Sequence, residues 1–450
     1  MKLNNRLFGT DGIRGIAGQR LTAGVVFRVG KALAILCRKD NKKAKIIVAR
    51  DTRTSGDMIE CALCSGLTAF GADVIKIGIA PTPSLPYLIT KTGATAGVMI
   101  TASHNPPDYN GLKLFNHGGN KLSGTQETEL EEIIENEASY LPNAYDSLGN
   151  ITTDEDLLKL YADFLLQKLG NINLSGMRVY LDCCNGASYR IAPYIFKTMG
   201  ATVSTLNATQ EGKLINVNCG SQFPASLAEC VVKEKFDIGF CFDGDADRVV
   251  AVSGNGRVVS GDDLLYVIGK QLSELDGLND NTVVGTVLTN LGLELDLAKL
   301  GVKLKRTDVG DKHIKQLMQA EGYSLGGEES GHIILADYNF AGDGVLAAMY
   351  ICKLLKEKQT TLEAETCKLT HCPQVRKNIP VSELIKTRVL LDNNLKACIE
   401  TAEEELAESG RVVVRVSGTE NVLRIMVEGH DLKQVERIAN MLEKAVLKAK

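Results

Sequence analysis

A pattern that occurs three times constrains the fold of this 450-residue chain more than any other feature. In each copy an apolar, strand-like run leads through a polar loop into an amphipathic helix, a glycine ends the helix, and a second apolar run follows. The first copy is Lys45-Ile46-Ile47-Val48-Ala49-Arg50, a helix near Asp57 to Phe70, then Gly71-Ala72-Asp73-Val74-Ile75. The second is Arg178-Val179-Tyr180-Leu181-Asp182, a helix near Tyr189 to Met199, then Gly200-Ala201-Thr202-Val203. The third is Thr282-Val283-Val284-Gly285-Thr286-Val287, a helix near Leu291 to Leu300, then Gly301-Val302-Lys303-Leu304. Strand-helix-strand units of this size build parallel-rich sheets, and glycine just past a helix is its natural stop. The pattern predicts three similar α/β domains with mixed, parallel-rich sheets.

The remainder of the chain marks the boundaries. An acidic helical stretch from Glu127 runs into a turn-rich linker at Leu141-Pro142-Asn143, and Asp154 to Leu169 resumes helical periodicity through Leu157, Leu160, Tyr161, Phe164 and Leu165. Beyond Thr370 the repeat stops. A strand near Val375, a helix over Leu395 to Leu406, strands at Arg411 to Val416 and Val422 to Val427, and a helix from Leu432 to Leu447 capped by Asp431 read as a smaller α+β domain. The expected domains are 1–150, 151–255, 256–370 and 371–450, as the length requires of a chain too long for one core.

Hydrophobic residues at 44% and charged residues at 24% are those of an ordinary globular protein, and a formal net charge of -4 without a Lys/Arg block argues against nucleic acid. The N-terminus lacks a signal-peptide core and no uncharged apolar run is long enough to cross a bilayer, so a cytoplasmic protein is expected. Twelve cysteines are scattered without a disulfide or zinc spacing, and buried reduced thiols are the expectation for all of them.

Phe240-Cys241-Phe242-Asp243-Gly244-Asp245-Ala246-Asp247-Arg248 delivers three carboxylates at alternate positions into a turn behind a buried strand. Carboxylates this close raise one another's pKa unless a cation neutralises them. A calcium EF-hand would need glycine sixth and glutamate twelfth, where this chain has Arg248 and Gly254. A solvated acidic turn and an Asp-nucleophile phosphatase, with Asp243 phosphorylated, remain open; a water-retaining Mg²⁺ site beside a phosphate is favoured.

Four further loops carry candidate chemistry. Phe8-Gly9-Thr10-Asp11-Gly12-Ile13-Arg14-Gly15 offers backbone amides and one guanidinium to an anion. Thr101-Ala102-Ser103-His104-Asn105-Pro106-Pro107 follows the buried run Ala96 to Ile100, and its prolines forbid an immediate helix, so Ser103 and His104 are expected on a rigid exposed loop, with Lys113 near the same mouth. Gly326-Gly327-Glu328-Glu329-Ser330-Gly331-His332 places a carboxylate and a hydroxyl side by side, as polyol recognition requires, or forms a plain surface hairpin. Arg415-Val416-Ser417-Gly418-Thr419-Glu420, with Arg424 on the next strand, reads as a metal-free phosphate cradle.

The order of these loops resembles the α-D-phosphohexomutase family over essentially the whole chain, through Thr101-Ala102-Ser103-His104-Asn105-Pro106, Asp243-Gly244-Asp245-Ala246-Asp247-Arg248, Gly327-Glu328-Glu329-Ser330-Gly331-His332 and Arg415-Val416-Ser417-Gly418-Thr419. The resemblance implies a four-domain phosphohexomutase architecture with the active site in the central cleft. It implies a phosphorylated Ser103, Mg²⁺ held by Ser103, Asp243, Asp245 and Asp247, His104 as acid/base, and Arg14, Lys113 and Arg248 as catalytic cations. By the same resemblance Glu328 and Ser330 hold the sugar, and Arg415, Ser417, Gly418, Thr419 and Arg424 hold the unreacting phosphate. The runs Asn290 to Glu294, Val309-Gly310-Asp311 and Asp337-Tyr338-Asn339, with a polar residue at Glu329, resemble the amino-sugar branch, whose reaction passes through glucosamine or glucose 1,6-bisphosphate. Glucose or mannose phosphates are the alternative substrates, a silent sugar-phosphate-binding protein a remoter one, and a monomer or homodimer is expected.

Overall fold

The computed structural model describes residues 7–9, 11–38, 43–136, 139–382, 385–417 and 421–450. The chain divides into two compact units, Met1–Val267 with Ser324–Cys367 and Ile268–Tyr323 with Lys368–Lys450.

In the first unit the apolar runs become two sheets. Among the described residues the first has six strands, in the order Ile13–Ile16, Tyr109–Asn116, Ala96–Ile100, Lys45–Arg50, Asp73–Ile79 and Ile151–Thr153. Tyr109–Asn116 runs antiparallel to both neighbours, and the other pairs are parallel. Alternate residues of each strand face opposite ways. Ile46 and Val48 join the core under the helices Ala23–Cys37, Gly56–Ala69 and Gly124–Glu135, whereas Ile47 and Ala49 join the one under Ser84–Thr92. A sheet covered on both faces needs apolar side chains at every position, which is why these strands read as unbroken apolar runs. The strand Ile151–Thr153, expected to open the second domain, instead pairs in parallel with Asp73–Ile79 at the edge of this sheet. Three residues are too few to carry a periodic signal of their own.

The second sheet has the order Val258–Val259, Val249–Ser253, Ile238–Phe242, Arg178–Asp182 and Thr202–Leu206, with the last three parallel. The glycine stops act as expected. Gly71, Gly200 and Gly301 have φ of 84°, 88° and 72°, and the next residue's amide donates to a carbonyl five positions back (Ala72 to Leu67, Ala201 to Phe196, Val302 to Leu297). This left-handed closure satisfies a terminal carbonyl and turns the chain toward the second strand.

In the second unit Thr282–Thr286 pairs in parallel with Lys303–Thr307. The tail forms an antiparallel sheet of Gln374–Pro380, Val422–Gly429 and Gly410–Val416. The helices Asn393–Leu406 and Leu432–Ala449 cover it with Leu395, Leu406, Val435, Ile438, Leu442 and Val446. Buried Glu428 ties tail to repeat: one carboxylate oxygen accepts from Leu291 N (2.9 Å) and the other from Arg411 Nε (2.6 Å). All twelve cysteines are free thiols. Burial of all of them does not hold, because Cys61, at the solvent edge of its helix, and Cys367 are exposed. No helix among the described residues is long and apolar enough to cross a membrane.

One buried acid in the first unit gives this fold a pH dependence. Asp343 caps the helix Gly344–Lys358 by accepting from Leu346 N (2.9 Å), and it also accepts from the Tyr161 hydroxyl. Burial nevertheless pushes its carboxyl up to about 6. Its folded-state pKa lies above the unfolded value, so its contribution to stability is full below about pH 4 and is lost as pH rises through 6. A rise of about two units corresponds to roughly 3 kcal/mol. Between pH 4 and pH 7 the unfolding free energy of the wild type should therefore fall by up to about 3 kcal/mol more than that of Asp343→Asn, measured by urea denaturation at both pH values; equal declines would refute it.

Candidate active site

The parallel strands of both sheets in the first unit end in loops that meet. Lys45–Arg50 ends in Asp51 and Arg53, Ala96–Ile100 in Thr101 to Asn105, and Ile238–Phe242 in the carboxylate turn. Carboxyl ends of parallel strands are where open α/β sheets bind their ligands. The approach is close: a Cβ on Gly244 would lie 2.6 Å from the Ser103 carbonyl oxygen, so only glycine lets the turn reach the serine loop.

At that meeting point Ser103 Oγ donates to Asp243 Oδ2 at 2.7 Å and lies 3.2 Å from His104 Nδ1. Oxygens of Asp243, Asp245 and Asp247 lie within 4.8 Å of one another, all buried. Lys113 Nζ bridges Asp245 Oδ2 (2.7 Å) and Asp247 Oδ2 (2.9 Å), with Asp11 Oδ2 at 3.4 Å. The Thr82 hydroxyl donates to Asp245 Oδ2 at 2.5 Å, and His332 Nδ1 stands 3.9 Å from Asp247. Arg248 donates its backbone amide to Asp243 Oδ1 (3.2 Å), and Arg14 pairs with Asp11 while reaching Asn105 Oδ1 at 3.2 Å.

The electrostatics follow from this placement. Burial, then repulsion from Asp247 and Asp245, pushes the Asp243 carboxyl well up. At Asp247 burial acts the same way, but Lys113, His332 and Arg248 outweigh it and hold the carboxyl well below the usual range. Burial would depress Lys113, yet Asp11, Asp245 and Asp247 raise its ammonium well above the ordinary lysine value. Burial and the cations Arg248 and Arg14 lower His104 to about 4, so the imidazole is neutral near pH 7 and able to accept a proton. Among the described residues, buried Asp245 Oδ1 and Asp247 Oδ1 have no hydrogen-bond partner. Orphaned carboxylate oxygens converging on one point are the donor set a hard divalent cation such as Mg²⁺ takes, so these residues fit it.

The expectation of an exposed serine is corrected. Ser103 is 1% exposed, with its backbone in the left-handed region at φ 51°. The reason is a buried anchor that sequence reasoning missed. Arg53, 0% exposed, pairs with Asp51 and donates to the carbonyls of Ser103 (2.9 Å), Asn105 (2.8 Å), Tyr109 (2.9 Å) and Pro106. The Thr101 hydroxyl donates to Asp51 Oδ2 and accepts from Ser103 N, while Asn216 Nδ2 donates to the carbonyls of Ser103 (2.8 Å) and Asn105 (2.9 Å). Asp11 and Asn105 lie in the Phe8 to Gly15 and Thr101 to Pro107 loops, whose sequence assigns them no role. The available signal for Arg53 was a charged Asp-Thr-Arg run directly behind a buried strand, where a free charge would be costly.

Glu328 and Ser330 lie in the turn of the hairpin Leu325–Gly327 and Ile333–Leu335. The turn is fastened to the strand behind the carboxylates, since Val249 N donates to Gly331 O (3.0 Å), and the Glu328 charge acts on Arg248. Ser330 Oγ is buried and, among the described residues, without a hydrogen-bond partner. In the second unit Arg415 and Arg424 face each other in register on adjacent strands, and burial followed by the Arg424 charge lowers Arg415. Ser417 is buried and its amide donates to Val422 O; Gly418 and Thr419 lie outside the described residues.

A multidomain α/β fold with a buried serine against a three-aspartate turn defines a phosphoryl-transfer class of protein. Family models agree: "Phosphoglucomutase/phosphomannomutase" domains I, II and III, each alpha/beta/alpha, match residues 5–141, 159–256 and 260–371, and the C-terminal domain matches 377–445. The chain belongs to the phosphoglucomutase/phosphomannomutase family, the α-D-phosphohexomutases. It is 43% identical over 444 residues to the phosphoglucosamine mutase of Clostridium acetobutylicum, covering 98% of this chain and 99% of that protein. The phosphoglucosamine mutase of Caldanaerobacter subterraneus subsp. tengcongensis is 43% identical over 439 residues, 97% of this chain and 98% of that one. A phosphoglucomutase/phosphomannomutase family protein of Burkholderia thailandensis has a similar fold, with TM-score 0.82 at 24% identity over 99% of this chain and 97% of that one. So does Aspergillus fumigatus N-acetylphosphoglucosamine mutase, captured with GlcNAc-6P and magnesium, with TM-score 0.68 at 16% identity over 98% and 96%.

Among the described residues the Arg53 side chain hydrogen-bonds to the loop backbone and Asp51, so its effect on turnover is through the position of Ser103. Arg53→Lys keeps a charge beside Asp51 but loses the planar fork that spans four carbonyls. It should lower kcat about 100-fold with KM changed only a few-fold, by steady-state kinetics, since displacement of a reacting group by about 1 Å costs that much. A folded variant with unchanged kcat would overturn the positioning role.

Proposed function

We propose that this phosphohexomutase is a phosphoglucosamine mutase, interconverting glucosamine 6-phosphate and glucosamine 1-phosphate through a phosphorylated Ser103 and a 1,6-bisphosphate intermediate. The observation that carries the chemistry is Ser103 Oγ, buried and 2.7 Å from a carboxylate of the three-aspartate turn. Full-length identity of about 42% to phosphoglucosamine mutases supports the amino-sugar substrate.

Phosphoryl transfer demands position and charge neutralisation more than covalent help from the protein. In the forward direction O1 of glucosamine 6-phosphate attacks the Ser103 phosphorus and gives up its proton, the P–Oγ bond breaks, and Ser103 Oγ takes a proton, giving the 1,6-bisphosphate. After the sugar turns end for end, Ser103 Oγ attacks the phosphorus at position 6. The P–O6 bond breaks, O6 takes a proton, and glucosamine 1-phosphate is left. Neutral His104, 3.2 Å from Ser103 Oγ, accepts the serine proton in this second transfer and returns it in the reverse one. Asp243, Asp245 and Asp247, with Ser103, would hold Mg²⁺, which when bound supplies positive charge beside the transferring phosphoryl group. Lys113 stays protonated among its carboxylates, and Arg14 and Arg248 bring further positive charge. A phosphoserine carries about -1.5 to -2, so these cations let a second phosphate approach.

Glu328 and Ser330 take the ring hydroxyls; the unpartnered Ser330 Oγ suits a polyol that supplies the missing bond. Arg415, Ser417, Gly418, Thr419 and Arg424 take the phosphate that is not reacting. Two arginines in register across one strand pair offer two guanidinium forks to a single phosphate. The domain limits 1–150, 151–255, 256–370 and 371–450 then assign the serine, the carboxylates, the sugar loop and the phosphate cradle one to each domain. Glucosamine or glucose 1,6-bisphosphate would prime the enzyme by phosphorylating Ser103.

Two outcomes test this. With Mg²⁺ and glucose 1,6-bisphosphate, kcat/KM should be highest for glucosamine 6-phosphate against glucose 6-phosphate and mannose 6-phosphate, Ser103→Ala should be inactive, and phosphopeptide mapping should find the label on Ser103. A preference for glucose or mannose would overturn the substrate, and a hydroxylamine-sensitive, acid- and base-labile acyl phosphate on Asp243 the serine mechanism. Arg415→Ala should lower kcat/KM about 10- to 100-fold, the loss of one to two charged hydrogen bonds, while labelling of Ser103 by bisphosphate falls less; equal losses would refute the separation of roles.

A further inference from the structure

The clamp on the serine loop continues into a pair of thiols that phosphoryl transfer does not use. Asn216 Nδ2 donates to Ser103 O and Asn105 O, and Asn216 Oδ1 accepts from the Cys184 thiol at 2.9 Å. Cys219 Sγ lies 3.9 Å from Cys184 Sγ, so the chain runs Cys219 thiol, Cys184 thiol, Asn216 amide, Ser103 carbonyl. Buried Asp182 holds both cysteine segments side by side: Oδ1 accepts from Cys184 N (2.9 Å) and Oδ2 from Gly220 N (2.9 Å). Cys184 and Asn216 both sit in the left-handed region, at φ 56° and 60°, so the thiol and the amide are held in a conformation that local contacts must maintain.

We infer that Cys184 and Cys219 form a redox-modification site whose oxidation to a disulfide loosens the Ser103 loop. Hydrogen peroxide, small and uncharged, is the oxidant suited to two buried thiols. One thiol loses its proton and attacks a peroxide oxygen; the O–O bond breaks, leaving a sulfenic acid and hydroxide, which takes up that proton as water. The second thiol attacks the sulfenic sulfur, the S–S bond forms, and the sulfenic oxygen leaves as a second water. Two electrons pass from the sulfurs to one peroxide. Bond formation brings the sulfurs from 3.9 Å to about 2 Å apart. It also removes the hydrogen that Cys184 gives Asn216 Oδ1, so the amide loses the contact that fixes its orientation toward the serine loop. The hydrogen bond to Cys219 and burial keep the Cys184 thiol protonated, so this oxidation is slower than that of exposed Cys61 or Cys367.

The test uses the full-length reduced enzyme treated with hydrogen peroxide, then alkylated and digested without reduction. A Cys184–Cys219 linked peptide is expected, with faster amide hydrogen exchange over residues 101–106, about tenfold lower mutase activity, and return of all three on addition of dithiothreitol. Cys219→Ser leaves the Cys184 to Asn216 bond in place and should keep its activity through the same treatment; Cys219→Ala serves where serine disturbs folding. Absence of the linked peptide would overturn the site, and equal inactivation of both Cys219 variants would assign the effect to other thiols. Because peptide mapping and exchange do not depend on the substrate, a linked peptide in a protein inactive on every sugar phosphate would refute the mutase reading while leaving this site standing.

Discussion

Everything at the site depends on keeping Asp11, Asp243, Asp245 and Asp247 together in a pocket that excludes most water. Isolated, such charges would take up protons rather than stay ionised. Lys113 changes that balance, because its ammonium touches Asp245, Asp247 and Asp11 but not Asp243. The opposite shifts of neighbouring acids follow: Asp247 is held down and Asp243 is pushed up. Asp243 is also the acid that accepts from Ser103 Oγ. The carboxylate least compensated by lysine is thus the one beside the Ser103 hydroxyl, where added positive charge changes most.

A buried charge cluster is useful only if the groups around it cannot move away. The serine loop has no regular secondary structure to hold it, and Ser103 occupies an unfavourable backbone region. Arg53 from one strand end and Asn216 from the second sheet's loops share the work, each donating to the carbonyls of Ser103 and Asn105. A guanidinium bound to four carbonyls and one carboxylate has an acceptor for each of its five N–H groups. Its burial is therefore stable, and it fixes the position of a loop whose own residues have no reason to adopt that shape.

Much of this was legible in the sequence because it was local. Parallel strands covered on both faces leave unbroken apolar runs such as Val98-Met99-Ile100, helix stops leave glycines, and three aspartates two apart leave a metal-like turn. Burial of Ser103 was not legible, because it results from Arg53 fifty residues away and Asn216 more than a hundred away, and no spacing encodes such contacts. The strand Ile151–Thr153 escaped for a related reason: its place on the first sheet is set by its pairing with Asp73–Ile79, not by its own three residues.

The hairpin Leu325–Gly327 and Ile333–Leu335 shares one framework with the carboxylate cluster. Its turn is joined by the Val249 to Gly331 bond to the strand that leaves the carboxylate cluster, and His332 from the same turn stands 3.9 Å from Asp247. A ligand pressing on Glu328 or Ser330 therefore acts on backbone two residues from Asp247. The same coupling runs the other way, since displacement of Asp247 would shift the turn that carries Glu328 and Ser330. Arg415 and Arg424 depend instead on the register of their own strand pair. The buried network of the first unit and the paired arginines of the second are thus held by different means, the first by side-chain contacts between loops and the second by strand register.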